Sequence, residues 1–188
     1  MKLESRNDIV NYILAGDGIY SYYSFNKTRS ICSAGFWVTD RFLPNTNFIA
    51  TAGHCYRPNA SCYLLPWNAT FVEYDIGKML FHYLSTMDFG LIPMSGNVKP
   101  VANIRNTDSK EYPQLRIKDH IVVSSNGAHL CISGFRSHVK CGYVKALSGF
   151  KDSGGDYIET LFVVSMQATK GDNGGSVFFI IKISYTQV

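Results

Sequence analysis

The sequence predicts an all-β protein built as two packed antiparallel barrels. Three observations lead to that class. Helical periodicity is nearly absent across the 188 residues. Short runs rich in aromatic and β-branched residues recur, separated by turn-forming residues. A polar stretch, Ser95 to Asp119, carries Pro100 and Pro113 and divides these runs into two sets.

In chain order, Met1 to Tyr12 is polar and charged and reads as a linker or propeptide remnant, residues 1–12. Asp8 to Leu14 reads as one short helical turn. The first barrel is expected over about residues 13–100. Its candidate strands are Gly18–Phe25, with alternating aromatics, and Ser33–Asp40, around Phe36-Trp37-Val38. Asn47–Ala52, Thr70–Tyr74, Gly77–Leu84 and Phe89–Met94 follow, each a short apolar or aromatic run. Turn chemistry separates them at Leu43-Pro44-Asn45 and Asp75-Ile76-Gly77. The second barrel is expected over about residues 115–188. Its strands are Ile121–Ser124, Leu130–Gly134, Gly142–Ser148, Tyr157–Gln167 and Ser176–Tyr185, with turns at Ser125-Asn126-Gly127 and Asp152-Ser153-Gly154-Gly155.

Composition narrows the function classes. Hydrophobic residues make up 46% of the chain, which fits a packed core and argues against disorder. The net charge is only +4 with no long basic run, so no nucleic-acid partner is expected. The longest apolar runs are too short to span a bilayer, so no membrane partner is expected either. The five cysteines form no Cys-x-x-Cys pair and no zinc-ligand spacing, so neither metal nor organic cofactor is implied. Three Asn-x-Ser/Thr glycosylation triplets, at Asn26, Asn59 and Asn68, fall in polar, turn-like stretches suited to a secreted protein. The N-terminal residues lack the apolar core of a signal peptide.

Three segments carry chemistry. Thr51-Ala52-Gly53-His54-Cys55 sets a histidine on a small-residue turn, from which its imidazole can reach a cleft. Met87-Asp88-Phe89-Gly90-Leu91 sets an aspartate at the head of an apolar strand, where it can orient that imidazole. Gly171-Asp172-Asn173-Gly174-Gly175 forms a glycine-rich turn that can aim backbone N–H groups at one point.

These motifs resemble those of chymotrypsin-like serine peptidases, and within that family the streptogrisin and α-lytic protease branch. The similarity runs from about Ile13 to Phe179. Ile13-Leu14-Ala15-Gly16-Asp17-Gly18-Ile19-Tyr20 resembles the branch's mature N-terminus. Cys32-Ser33-Ala34-Gly35-Phe36 and Cys131-Ile132-Ser133-Gly134 with Cys141-Gly142 resemble its disulfide segments. The resemblance implies His54 as general base, Asp88 as its orienting partner and Asn173 at the nucleophile position. It implies an oxyanion hole from the N–H groups of Gly171 and Asn173, in a cleft between the barrels that takes a peptide or protein substrate. It also implies disulfides Cys32–Cys55 and Cys131–Cys141, each contributing roughly 2–4 kcal/mol, in a secreted, extracellular monomer. Cys62 is left over and reads as a loop cysteine without a role.

The chain departs from that family in three places. Asn173 stands where the family has serine, and a carboxamide nitrogen is no nucleophile because its lone pair is delocalised. The family continues for several tens of residues beyond the loop, so the second barrel is expected to be C-terminally truncated. Gln167 stands where bacterial members often have a third disulfide cysteine. Ser153 lacks the preceding glycine and reads as a hairpin tip, while Ser176 should enter the following strand, so neither replaces the missing serine. The expected function is that of a serine endopeptidase homologue that is catalytically impaired. Two other readings stand beside it: an active secreted endopeptidase whose sequence record is imperfect, and a pseudopeptidase that binds peptides or proteins without cleaving them.

Overall fold

The computed structural model describes residues 11–25, 27–42, 46–69, 74–95, 97–152 and 157–181. Strand β1 (Asn11–Ala15) buries Ile13, Leu14 and Ala15. It pairs in parallel with β10 (Val98–Arg105), which pairs in turn with β11 (Gln114–Arg116) in an antiparallel ladder. The helical turn expected over Asp8–Leu14 is therefore absent from Asn11 to Leu14, whose strand lies along β10. Residues 8–10 lie outside the described residues. Strands β10 and β11 also lie within Ser95–Asp119, the stretch expected to divide the two sets of strands. Pro100 argued against a strand there, yet it sits opposite Ile13 beside a register shift, where a missing N–H is tolerated.

Two four-stranded antiparallel sheets follow. One has the order β3-β2-β6-β7, from β2 (Gly18–Tyr23), β3 (Thr28–Ser33), β6 (Ser61–Leu65) and β7 (Tyr74–Gly77). The other has the order β4-β5-β9-β8, from β4 (Trp37–Thr39), β5 (Asn47–Thr51), β8 (Phe81–Tyr83) and β9 (Phe89–Pro93). Inward residues from both sheets, including Ile19, Cys32, Ile49, Cys62, Leu64, Ile76 and Ile92, form one buried core. The period-two alternation of a strand buried on one face produces this set, as in Cys62 and Leu64 of β6.

Several sequence expectations change here. Ser33–Asp40 is two strands, because the chain passes from one sheet to the other at Ala34–Phe36. There Ala34 N–H donates to Asp17 O (2.7 Å) and Gly35 N–H to Ala50 O (2.8 Å). Asp75-Ile76-Gly77 is the end of a strand and not a turn. Gly77 adopts φ +143°, and an added Cβ would lie 2.2 Å from Pro93 O, so this glycine serves close backbone approach. Ser61–Leu65 forms β6 where no strand is expected, and Cys62 lies in the barrel core and not in a loop. The candidate turn Leu43-Pro44-Asn45 and residues 70–73 lie outside the described residues.

The remaining sheet has the order β14-β13-β12-β15. Its members are β12 (His129–Gly134), β13 (His138–Asp152), β14 (Tyr157–Val164) and β15 (Ser176–Phe178). Strand β13 extends well beyond the expected Gly142–Ser148, and three register shifts against β14 let it bend along its length. Ile121–Ser124 is exposed or half-buried and forms no strand. The turn at Ser125-Asn126-Gly127 forms as expected, and residues 182–188 lie outside the described residues.

Polar contacts join this sheet to the first barrel. Asp17 is fully buried and receives two hydrogen bonds from Arg105, one from Nη2 to Oδ2 at 3.0 Å, plus the Leu14 N–H at 2.8 Å. Burial pushes the Asp17 carboxyl up, and Arg105 opposes that push. The Arg105 carbonyl accepts from Ser133 Oγ on β12 (2.9 Å). Nearby, Trp67 stacks on His138 at 4.0 Å between ring centroids and donates to Gly16 O. Among the described residues, no helix is long and apolar enough to cross a membrane.

Arg105→Met should leave the Asp17 carboxyl buried without its partner. Breaking a buried pair typically costs about 3–5 kcal/mol, so urea unfolding should show a loss of that order.

Candidate active site

His54 lies in a short 3₁₀ turn, Gly53–Cys55, directly after β5. Cys55 is disulfide-bonded to Cys32 at the end of β3, which ties that turn to the neighbouring sheet. Arg57 Nη1 donates to the carbonyls of His54 (3.0 Å) and Tyr56 (2.7 Å) and braces the turn from behind. Asp88 precedes β9, the strand paired to β5, so the sheet register brings it to His54.

The two residues meet in a two-point contact. Asp88 Oδ1 accepts the His54 backbone N–H at 2.9 Å, and Oδ2 lies 2.5 Å from Nδ1. A carboxylate can only accept, so Nδ1 carries a proton, and in the neutral imidazole the lone pair is on Nε2. The imidazole is 46% exposed and Asp88 28%, so Nε2 has access to a bound group while the contact is partly shielded.

Asn173 comes from the loop between β14 and β15. That loop is built around Asp172, which is 1% exposed. Its Oδ1 accepts the N–H groups of Arg136 (2.7 Å) and Ser137 (2.9 Å), and its Oδ2 that of Thr169 (2.7 Å). Burial pushes the carboxyl up, but the hydrogen bonds from Ser137, Thr169 and Arg136 outweigh it and hold the group below its ordinary value of 3.8. The Gly175 N–H donates to Asp172 O and closes the turn.

The first barrel grips the same loop. Ser33 N–H donates to Asn173 O (2.8 Å) and Ser33 Oγ to Gly171 O (2.8 Å). Ser33 Oγ also accepts the Phe135 N–H (2.9 Å), and Ser33 O accepts Thr51 Oγ1 (2.8 Å). Gly174 has φ +84°, and an added Cβ would lie 2.1 Å from Thr51 Oγ1 and 2.7 Å from Ala52 N. Only glycine fits there, and that fit brings the loop against the histidine segment.

The result is a cleft of about 420 Å³. His54, Asp88, Phe89, Asn173, Gly174 and Gly175 line it together with Gly35, Phe36 and residues 50–52. The three residues expected at the catalytic positions are thus brought together, with the Asn173 side chain exposed. Of the two residues expected to form an oxyanion hole, Asn173 lines the cleft, whereas Gly171 is buried and is not among the lining residues. Neither N–H donates to another described residue.

Other expected sites are distributed as follows. Cys131 and Cys141 are disulfide-bonded across the directly opposed pair of β12 and β13. Cys62 is a free, buried thiol, 3.6 Å from Ser21 Oγ, and burial pushes it up. It packs in the core and forms no dyad with His54. Asn59 and Asn68 are exposed, at φ +58° and +63°, while Asn26 lies outside the described residues. Ser176 is buried on β15, and Ser153 lies outside the described residues. His54 approaches Cys32 and Cys55, and His129 approaches Cys131 and Cys141, in groups with ligand-like spacing. All four sulfurs are already disulfide-bonded. Ser33, held in turn by Thr51 Oγ1, is the clamp on the loop, and no sequence motif marks it. Ser33 carried no signal beyond its place after Cys32.

Two outcomes follow from this geometry. Ser33→Ala removes one donor and one acceptor, leaving Gly171 O and Phe135 N–H unpaired, at about 1–3 kcal/mol for each orphaned group. Urea unfolding should show that loss with both disulfides intact. For Asp172, the folded carboxyl lies below its unfolded value. Its contribution to stability is therefore fully present above that unfolded value and is lost as the pH falls through the folded one. Unfolding measured across the acid range should show this slope, and Asp172→Asn should flatten it.

No protein-family profile matches the chain. No curated protein matches it either. Solved structures do match. Thermobifida fusca protease A superposes with a TM-score of 0.69 at 18% identity, over 89% of this chain and 78% of that one. Cellulomonas bogoriensis chymotrypsin gives 0.65 at 22% identity, over 89% and 77%. An α-lytic protease homologue, N4, gives 0.60 at 16% identity, over 84% and 73%. The all-β sheets, the cleft between them and these superpositions together identify the fold as that of the chymotrypsin-like bacterial serine proteases.

Proposed function

We propose that this chain is a serine-endopeptidase homologue that binds a peptide or protein segment in its cleft and is impaired in cleaving it. The observation that carries the reading is the pairing of an ordered His54–Asp88 contact with Asn173 on the wall of the same cleft. A base is oriented, but the Asn173 side chain on the same cleft wall offers it no nucleophile, because the carboxamide nitrogen's lone pair is delocalised. In a comparable triad, loss of the serine alone costs about 10⁶-fold in turnover, equivalent to roughly 8 kcal/mol of barrier. Backbone donors and binding would leave a residual acceleration of about 10³–10⁴ over water.

The two disulfides and the exposed Asn59 and Asn68 support a secreted, extracellular protein, since such bonds persist in oxidising compartments. The protein acts as a monomer without a metal or organic cofactor. The roles assigned are base for His54, orienting partner for Asp88, and oxyanion donors for the Gly171 and Asn173 N–H groups.

Treatment with a fluorophosphonate probe should leave every serine of the wild-type protein unlabelled, and casein should remain uncut. Asn173→Ser should introduce labelling at residue 173 that disappears when His54→Ala is added. Labelling of the wild-type protein at any serine, with casein turnover, would sink the impaired-enzyme reading.

A further inference from the structure

The dipeptide Asn-Gly occurs twice in this chain, at Asn126-Gly127 and Asn173-Gly174. In such a pair the glycine nitrogen can attack the asparagine side chain, because no Cβ on the second residue obstructs the approach. Both asparagines are exposed. Their backbone settings differ. The Gly127 N–H donates to Val144 O at 2.8 Å, so the attacking nitrogen is occupied by a sheet contact. The Gly174 N–H donates to no described residue. The Asn173 carbonyl, which belongs to the same peptide unit as that nitrogen, accepts the Ser33 N–H at 2.8 Å. A hydrogen bond to the carbonyl draws electron density from the amide and makes its N–H more acidic. His54, whose Nδ1 is held by Asp88 and whose neutral form has its lone pair on Nε2, lines the same cleft.

We propose that Asn173-Gly174 is a self-modification site, at which His54 promotes ring closure and deamidation of Asn173. His54 Nε2 takes the proton from Gly174 N. The nitrogen forms a bond to Asn173 Cγ, closing a five-membered ring in which Cγ is tetrahedral and which becomes the cyclic imide when Nδ2 departs. The Cγ–Nδ2 bond breaks, and Nδ2 leaves as ammonia after receiving the proton held by the imidazole. Water then opens the ring at either carbonyl, leaving aspartate or isoaspartate at position 173. The net change is hydrolysis of one carboxamide, and it needs no reagent besides water. It would put a carboxylate opposite His54 in the cleft. The inference requires His54 to act as a base and is independent of whether the cleft takes a peptide.

The test is an incubation of the full-length folded protein, sampled over time and read by peptide mapping with mass spectrometry. Asn126 in the same molecule serves as an internal clock. Conversion at residue 173 should outpace that at residue 126. His54→Ala should slow residue 173 by about 10-fold or more, given the usual worth of a positioned base, and leave residue 126 unchanged. Asp88→Asn, which keeps the imidazole but loses its orienting carboxylate, should slow residue 173 as well. Equal conversion of residue 173 in wild type and both variants would overturn the proposal. So would an intact Asn173 beside a converted Asn126, or cleavage of the chain after residue 173 in place of deamidation.

Discussion

Ser33 joins the histidine-bearing sheet to the glycine-rich loop through three polar groups. It ends β3, is fully buried, and uses its N–H, its carbonyl and its hydroxyl at once. Through them it holds Asn173 O, Thr51 Oγ1, Gly171 O and the Phe135 N–H. Two of these belong to the glycine-rich loop, one to the strand that delivers His54, and one to the turn after β12. Burying this many polar groups is tolerable only when each finds a partner, and here each one does. The cleft is therefore set by a hydrogen-bonded node as much as by apolar packing.

The two sides of the site are held by different physics. His54 is placed by covalent and sheet restraints: the Cys32–Cys55 disulfide, the β5–β9 register and the two-point contact with Asp88. The loop is placed by charge. Asp172 gathers three backbone N–H groups around one buried carboxylate, and its ionisation keeps that arrangement together. Gly174 fits where any side chain would collide with Thr51, so the two sides meet without a gap. None of this depends on the side chain at position 173. The loop takes its shape from Asp172, Ser33 and the glycines, so it forms with asparagine at position 173.

Much of this was legible in the sequence, and the failures have physical causes. The histidine turn, the aspartate and the glycine-rich loop could be read because each is a short local motif. The strands of the first barrel could be read where aromatics alternate, as in Gly18–Tyr23. Strand β10 was hidden by Pro100, whose cost is absorbed at a register shift that no local pattern announces. Strand β1 was mistaken for a helical turn because a parallel partner almost ninety residues away supplies its ladder. Gly77 looked like a turn residue, although its purpose is a close approach to Pro93. Ser33 could not be recognised at all, since its partners lie in three separate segments of the chain.

The histidine–aspartate pair is assembled even though asparagine stands on the wall of the same cleft. Proton NMR tests this most directly, because a hydrogen held on Nδ1 by a carboxylate gives a far-downfield, exchange-protected resonance. His54 in the wild-type protein should show such a resonance, and Asp88→Ala should abolish it. A His54 ring proton that exchanges freely in the wild type, with no difference after Asp88→Ala, would contradict it.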